Sequence, residues 1–208
     1  AFPYLTMKAR SHSPAGPWLK QRDVVPFRCV PKTYYDVTAS PGQIIRQGDE
    51  YLMFFSAASH DSRGTHRTIG IARTKDLNGP WRIDPKPILS PAEQVENSSL
   101  YLEPTNQTWF LFTNHVGLEK SEYTDAVWVY WTRDTNRWSA ADKAVVLDGR
   151  NCTWSRTCIG LPSVVKVGHR LAVLYDAPGG NSTSHMKRDV GLAWLELPLT
   201  PPAAGVKE

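Results

Sequence analysis

RTIGIARTKDLNGPW, residues 67–81, joins a short β-type run to a turn that ends in tryptophan, and the chain repeats this arrangement three times. SHSPAGPW ends at Trp18 behind YLTMKAR (4–10), TKDLNGPW ends at Trp81, and TRDTNRW ends at Trp138 behind DAVWVYW (125–131). The intervals are 63 and 57 residues. Self-similarity at a near-constant period is the mark of a repeat architecture.

Working outward, two more strand candidates precede the second and third of these runs. PGQIIRQ (41–47) and EYLMFFS (50–56) flank Gly48 and Asp49, and SLYLEP (99–104) and WFLFTN (109–114) flank Thr105–Thr108. A fourth unit has LPSVVKV (161–167) and RLAVLYD (170–176) around Gly168 and His169, then DVGLAWLEL (189–197). Tight turns between alternating apolar runs predict antiparallel hairpins, and RDVGLA at Arg188 repeats RTIGIA at Arg67. Each unit is a four-stranded meander of roughly 50–60 residues, the scale of a propeller blade. A sandwich is the alternative, but it gives no reason for an evenly spaced turn after every third strand.

The expected fold is therefore all-β, a β-propeller of four-stranded antiparallel blades. Residues 1–28 end one blade, 29–91 and 92–150 form two more, 151–200 begin the last, and 201–208 are a tail. About one and a half blades of a five-bladed ring are expected to be absent. Either a longer polypeptide or a second copy in a homo-oligomer completes the ring, since an open one exposes strand edges.

Composition agrees. Eight Trp and eight Tyr with 16 Pro and 14 Gly favour short strands and many turns over long helices. No run of about 18 apolar residues is present, so no membrane-spanning helix is expected. The net charge of +4 comes from scattered Lys and Arg, which argues against nucleic acid as a partner. No secretory signal is visible in the first residues. Cys152 and Cys158 are close enough in sequence to be bonded or free, because spacing does not fix geometry. Cys29 reads as a buried apolar residue. Sequons stand at Asn97, Asn106, Asn151 and Asn181.

A propeller sends alternate connections to opposite faces. One face receives the plain third-to-fourth-strand turns; Trp18, Trp81 and Trp138 belong to these and read as structural. The other receives the segments that lead into each first strand, 25–40, 89–99 and 148–160, and the links 56–67, 113–125 and 176–189. His60, His66, His115 and His185 all fall in these links. Such an asymmetry fits a site mounted on a rigid scaffold. Asp36 and Glu96 stand at the starts of successive first strands, the expected catalytic positions. His60, His115, Asp125, Asp176, His185 and Arg188 are the expected substrate contacts, with Trp154 and Tyr35 able either to stack on a ring of the ligand or to pack between blades. Neighbouring carboxylates are pushed to different pKa values, as general acid and base work requires. No metal ligand set and no cofactor are expected; a calcium or sodium ion in the channel is left open.

The segments YYDVTASPGQIIRQGDEYLMFFS, RTIGIARTKDLNGPW, WFLFTNHVG, and LPSVVKVGHRLAVLYDAPGG with SHMKRDVGLAWLELPL resemble the five-bladed propeller glycoside hydrolases of families 43, 62 and 117. The resemblance to family 43 implies that Asp36 corresponds to its third-blade Asp, which orients substrate and tunes pKa. Glu96 then corresponds to its fourth-blade Glu acid, with the first-blade Asp base outside these 208 residues. Glu96 stands in VENSS, departing from the Glu-Gly-Pro setting of that family. The likeness to family 117, which uses a His acid, makes His115 and His185 rival acids. Implied is a secreted or periplasmic glycosidase that cleaves a plant or algal poly- or oligosaccharide, with inversion. A non-catalytic carbohydrate-binding propeller and a scaffold for protein partners are the alternatives.

Overall fold

The computed structural model describes residues 6–117 and 123–202. Among the described residues, apart from a 3-10 turn at Pro91–Glu93, the regular structure is β. The chain divides into two compact units, 1–92 and 93–208.

In the first unit β1 (Lys8–Arg10) pairs antiparallel with β2 (Leu19–Gln21). A larger sheet contains β3 (Thr38–Ser40), β4 (Ile44–Gln47), β5 (Glu50–Asp61), β6 (Gly64–Thr74) and β7 (Arg82–Ile83). β3 and β4 both pair with β5 and act as one strand broken at Pro41 and Gly42. Proline has no N–H for the ladder, so the break falls there. The sheet is thus a meander from β3/β4 through β5 and β6 to β7.

The second unit holds β8 (Val95–Glu103), β9 (Thr108–Gly117), β10 (Tyr123–Thr132) and β11 (Lys143–Leu147), hydrogen-bonded in that order. A three-stranded sheet of β12 (Gly160–Val167), β13 (Arg170–Ala177) and β14 (Asp189–Glu196) follows. Phe110, Phe112, Val127 and Val129 of the first sheet bury against Leu171, Val173 and Tyr175 of the second, with Cys152 and Ile159 between. The other face of the second sheet leaves Val165, Val167, Leu192 and Trp194 exposed.

The repeated turn is the same object each time. Thr74 Oγ1 accepts from Asp76 N–H at 3.2 Å, Asp76 Oδ1 from Asn78 N–H at 2.9 Å, and Asp76 O from Gly79 N–H at 2.7 Å. Thr132, Asp134, Asn136 and Arg137 repeat those bonds at 3.1, 3.0 and 2.8 Å. Side chains that bind their own backbone two residues on are the reason for this turn chemistry.

The matching glycines in RTIGIA and RDVGLA also have one cause. Gly70 pairs with Phe55 and Gly191 with Tyr175, and each aromatic ring lies across its glycine. A Cβ at Gly70 would sit 2.5 Å from both the Phe55 ring and the Tyr34 hydroxyl, and one at Gly191 would run into the Tyr175 ring. Phe55 is fully buried and has nowhere to retreat. Gly70→Ala is expected to destabilise the chain by about 1–3 kcal/mol through overpacking, read from the denaturation midpoint; an unchanged midpoint would contradict this packing.

Two expectations change, and the open question of the Cys152–Cys158 pair is answered. The link at 56–67 is not a loop, because β5 and β6 stay paired to Asp61 and Gly64. Asp61 closes that hairpin by accepting from Arg63 N–H at 2.8 Å, from the Arg63 guanidinium and from His66. The cysteines are free, Cys152 Sγ lying 3.3 Å from the Tyr175 hydroxyl. Cys29 is partly exposed, not buried. Of the sequon amides, Asn97, Asn106 and Asn151 donate within the chain, to Asn114, Leu199 and Val146, while Asn181 is exposed.

Glu103 at the end of β8 is buried but well served. Burial raises its pKa, yet hydrogen bonds from Thr105 N–H, Leu199 N–H and the Thr105 and Tyr101 hydroxyls outweigh that and hold the carboxyl below its ordinary value of 4.5. A depressed folded-state pKa contributes stability that is present above 4.5 and lost as pH falls through the folded value. Thermal midpoints compared at neutral pH and below 4.5 are expected to fall less steeply in Glu103→Gln than in the wild type; parallel curves would contradict this.

Candidate functional site

Two first strands of the second unit are irregular where they begin. β8 bulges between Glu96 and Ser99, with Asn97 at φ 62, and β12 bulges between Gly160 and Ser163, with Leu161 at φ 49. Positive φ is uncommon for side-chain-bearing residues, and bulges of this kind re-aim side chains beside functional sites. One buried residue ties the two strand starts together: Asn114 Oδ1 accepts from Asn97 Nδ2 at 2.9 Å and from Leu161 N–H at 3.1 Å. Asn114 Nδ2 is buried with no partner among the described residues. Thr113 donates to the Glu96 carbonyl at 2.6 Å, and the Glu96 residue is partly buried.

His115, next along β9, stacks on Trp128 with ring centroids 4.4 Å apart. Its Nδ1 lies 3.8 Å from the Asp125 carboxylate, which also receives the Trp128 indole N–H at 3.2 Å. On the other side His115 Nε2 is 2.8 Å from the Tyr130 hydroxyl, and that hydroxyl donates to Glu93 at 2.6 Å. With its one proton committed to Glu93, the Tyr130 oxygen accepts from His115 Nε2–H, which fixes the neutral tautomer. Lys143 Nζ closes the chain on Glu93 at 2.5 Å. Burial pushes the His115 pKa down, against the opposing pull of Asp125. Burial raises Glu93, but Lys143 and Tyr130 bonding to its carboxylate leave it below its ordinary value. The result is a hydrogen-bonded chain running from a neutral imidazole to a paired carboxylate.

Asp176 and Arg188 meet across β13 and the start of β14. Arg188 Nε and Nη2 reach the two Asp176 oxygens at 2.8 and 2.6 Å, and Nη2 also contacts the Cys158 carbonyl. Side-chain exposure is 9% for Arg188 and 23% for Asp176. The loops on either side are laced: Arg156 N–H donates to Gly180 O at 2.8 Å, Gly180 N–H to Trp154 O at 2.9 Å, and the Thr157 hydroxyl to Ser182 O at 2.5 Å.

The second unit therefore brings together His115 with Asp125, and Asp176 with Arg188, and sets Glu96 beside Asn114. His185 is exposed in the 178–188 loop. Asp36 and His60 belong to the first unit. Asp36 follows the Tyr34–Tyr35 pair, and its Oδ1 is buried without a donor among the described residues. His60 is exposed on β5, its Nδ1 3.2 Å from the Thr65 hydroxyl. Trp154 and Tyr35 pack into cores, Trp154 donating to Tyr175 at 2.9 Å. Among the described residues no group of three or more His, Cys, Asp or Glu is placed to hold a metal ion. Sequence reading missed Glu93, Tyr130 and Lys143. Glu93 was within sight in the 89–99 segment; Tyr130 and Lys143 carry no local signal.

No protein-family model and no curated protein matches the sequence. Solved structures do. An endo-1,4-β-xylanase from Bacteroides thetaiotaomicron superposes with a TM-score of 0.62 at 18% identity, over 88% of this chain and 58% of its own. A thermostable family-43 glycoside hydrolase gives 0.64 at 17% identity, over 88% and 59%. A mutant GH32 β-fructofuranosidase from Bombyx mori, in complex with sucrose, gives 0.56 at 14% identity, over 87% and 39%. The chain thus spans less than two thirds of these neighbours, and its fold is that of the propeller glycoside hydrolases.

Proposed function

We propose that the chain carries the carbohydrate-cleaving rim of a secreted or periplasmic glycoside hydrolase acting on a plant or algal poly- or oligosaccharide. Glu96 is the acid that protonates the leaving glycosidic oxygen, and Asp36 is the carboxylate that orients the sugar and sets proton affinities around it. Inversion requires a water between this acid and a carboxylate base, which then stand about 6.5–9.5 Å apart; Asp36 is not that base. His60, His115, Asp125, Asp176, His185 and Arg188 border the sugar. Within that set the Arg188–Asp176 pair holds the loops, and the Asp125 carboxylate is the more open hydroxyl acceptor, its side chain being 40% exposed.

The observation that carries this reading is the Asp36 oxygen buried without a donor among the described residues. Such a group is costly unless an external donor completes it, and sugar hydroxyls are such donors. A second reading, non-catalytic sugar binding, is favoured by the VENSS setting of Glu96, which departs from the Glu-Gly-Pro setting of the family 43 acid. Incubating the complete protein with xylan, arabinan and fructan and resolving released sugars tests both. Release of sugars supports hydrolysis, binding without release supports the second reading, and neither overturns both.

A further inference from the structure

Glu96, His115 and Asp125 lie at one end of the β8–β11 sheet. At its other end a cavity of about 450 Å³ opens between the β8–β9 turn, the end of β10 and the chain after β14, lined by Asn106, Thr108, Trp131, Arg133, Asp142 and Thr200. Its walls are fixed. Asn106 Nδ2 donates to Leu199 O at 2.8 Å, Leu199 N–H to the buried Glu103 at 3.0 Å, and Trp131 N–H to Asp142 O at 3.2 Å. Three polar groups at the cavity have no partner among the described residues: the Trp131 indole N–H, the Arg133 guanidinium and the Asp142 carboxylate.

The volume falls within the range of roughly 300–1,000 Å³ typical of small-ligand sites. Its chemistry narrows the ligand. An anion would meet Asp142 and a cation Arg133, so like-charge contact disfavours both. A neutral polyol suits the set: the carboxylate accepts, the guanidinium donates to paired hydroxyls, and the indole offers an apolar face with a polar edge. We propose that this cavity is a second, non-catalytic carbohydrate site that holds one or two neutral sugar residues. Its choice of polymer rests on the function proposed above. Sugar bound here keeps a polymer on the protein while the distant rim works on another part of it.

Trp131 packs partly against the core, so the test uses the exposed pair, Arg133→Ala with Asp142→Ala. Retardation in gels containing neutral xylan, arabinan or fructan reports binding, and a small chromogenic glycoside reports hydrolysis. The double variant is expected to bind its polymer about tenfold or more weakly, the loss of two charge-assisted hydrogen-bonding groups. Hydrolysis of the small glycoside should be unchanged. Equal retardation of wild type and double variant, or none for the wild type in any polymer, overturns the site. Cavity-dependent binding without hydrolysis sinks only the enzymatic reading; hydrolysis with cavity-independent binding sinks only the second site.

Discussion

Glu96→Gln is expected to slow glycoside hydrolysis by about 10²–10⁴-fold, the contribution of a positioned acid. Glutamine keeps the shape at the β8 bulge, so the Thr113 bond to the residue 96 carbonyl and the Asn97–Asn114 clamp stay intact. The loss should therefore fall on kcat with folding unchanged. Asp36→Asn should also reduce the rate, with a larger share in KM, because the role proposed for this residue is to orient the sugar and not to deliver the proton. Wild-type kcat in Glu96→Gln would remove Glu96 from the chemistry. Activity restored by substrates with good leaving groups would strengthen its assignment as the acid.

Arg188→Met should lower the stability of the second unit by about 3 kcal/mol, the lower end for breaking a largely buried ion pair given the partial exposure of Asp176. At about 2–4 °C per kcal/mol for a chain of this size, the midpoint falls by about 6–12 °C. The substitution strands the Asp176 carboxylate and frees the Cys158 carbonyl that the guanidinium also holds. Adding Asp176→Leu should recover part of the loss, since no unpaired charge then remains. A midpoint within about a degree of wild type for Arg188→Met, against the shift expected at this chain length, would mean that the laced loops hold without the pair.

The repeat was readable because its causes are local. Thr74, Asp76 and Asn78 bind their own backbone, as do Thr132, Asp134 and Asn136, so spacing alone reveals the turn. Gly70 and Gly191 were readable as a match, although their cause, an aromatic ring from the neighbouring strand, needs the pairing register. The link at 56–67 misled because its polar composition looks like a loop; Asp61 turns the same residues into a closed hairpin by binding Arg63 and His66. The His115 network was half legible. His115 and Asp125 share one link, whereas Lys143 reaches Glu93 from 50 residues away, a contact that only the fold creates. Arg188 and Asp176 could be placed near each other, but not seen to bond to each other.

A crystal structure of Glu96→Gln with a bound oligosaccharide of the polymer it cleaves tests the roles of Glu96 and Asp36 most directly. A glycosidic oxygen is expected within hydrogen-bond reach, about 2.6–3.2 Å, of the residue 96 side chain, with a sugar hydroxyl donating to Asp36. Sugar bound elsewhere, with residue 96 and Asp36 untouched, would contradict both roles.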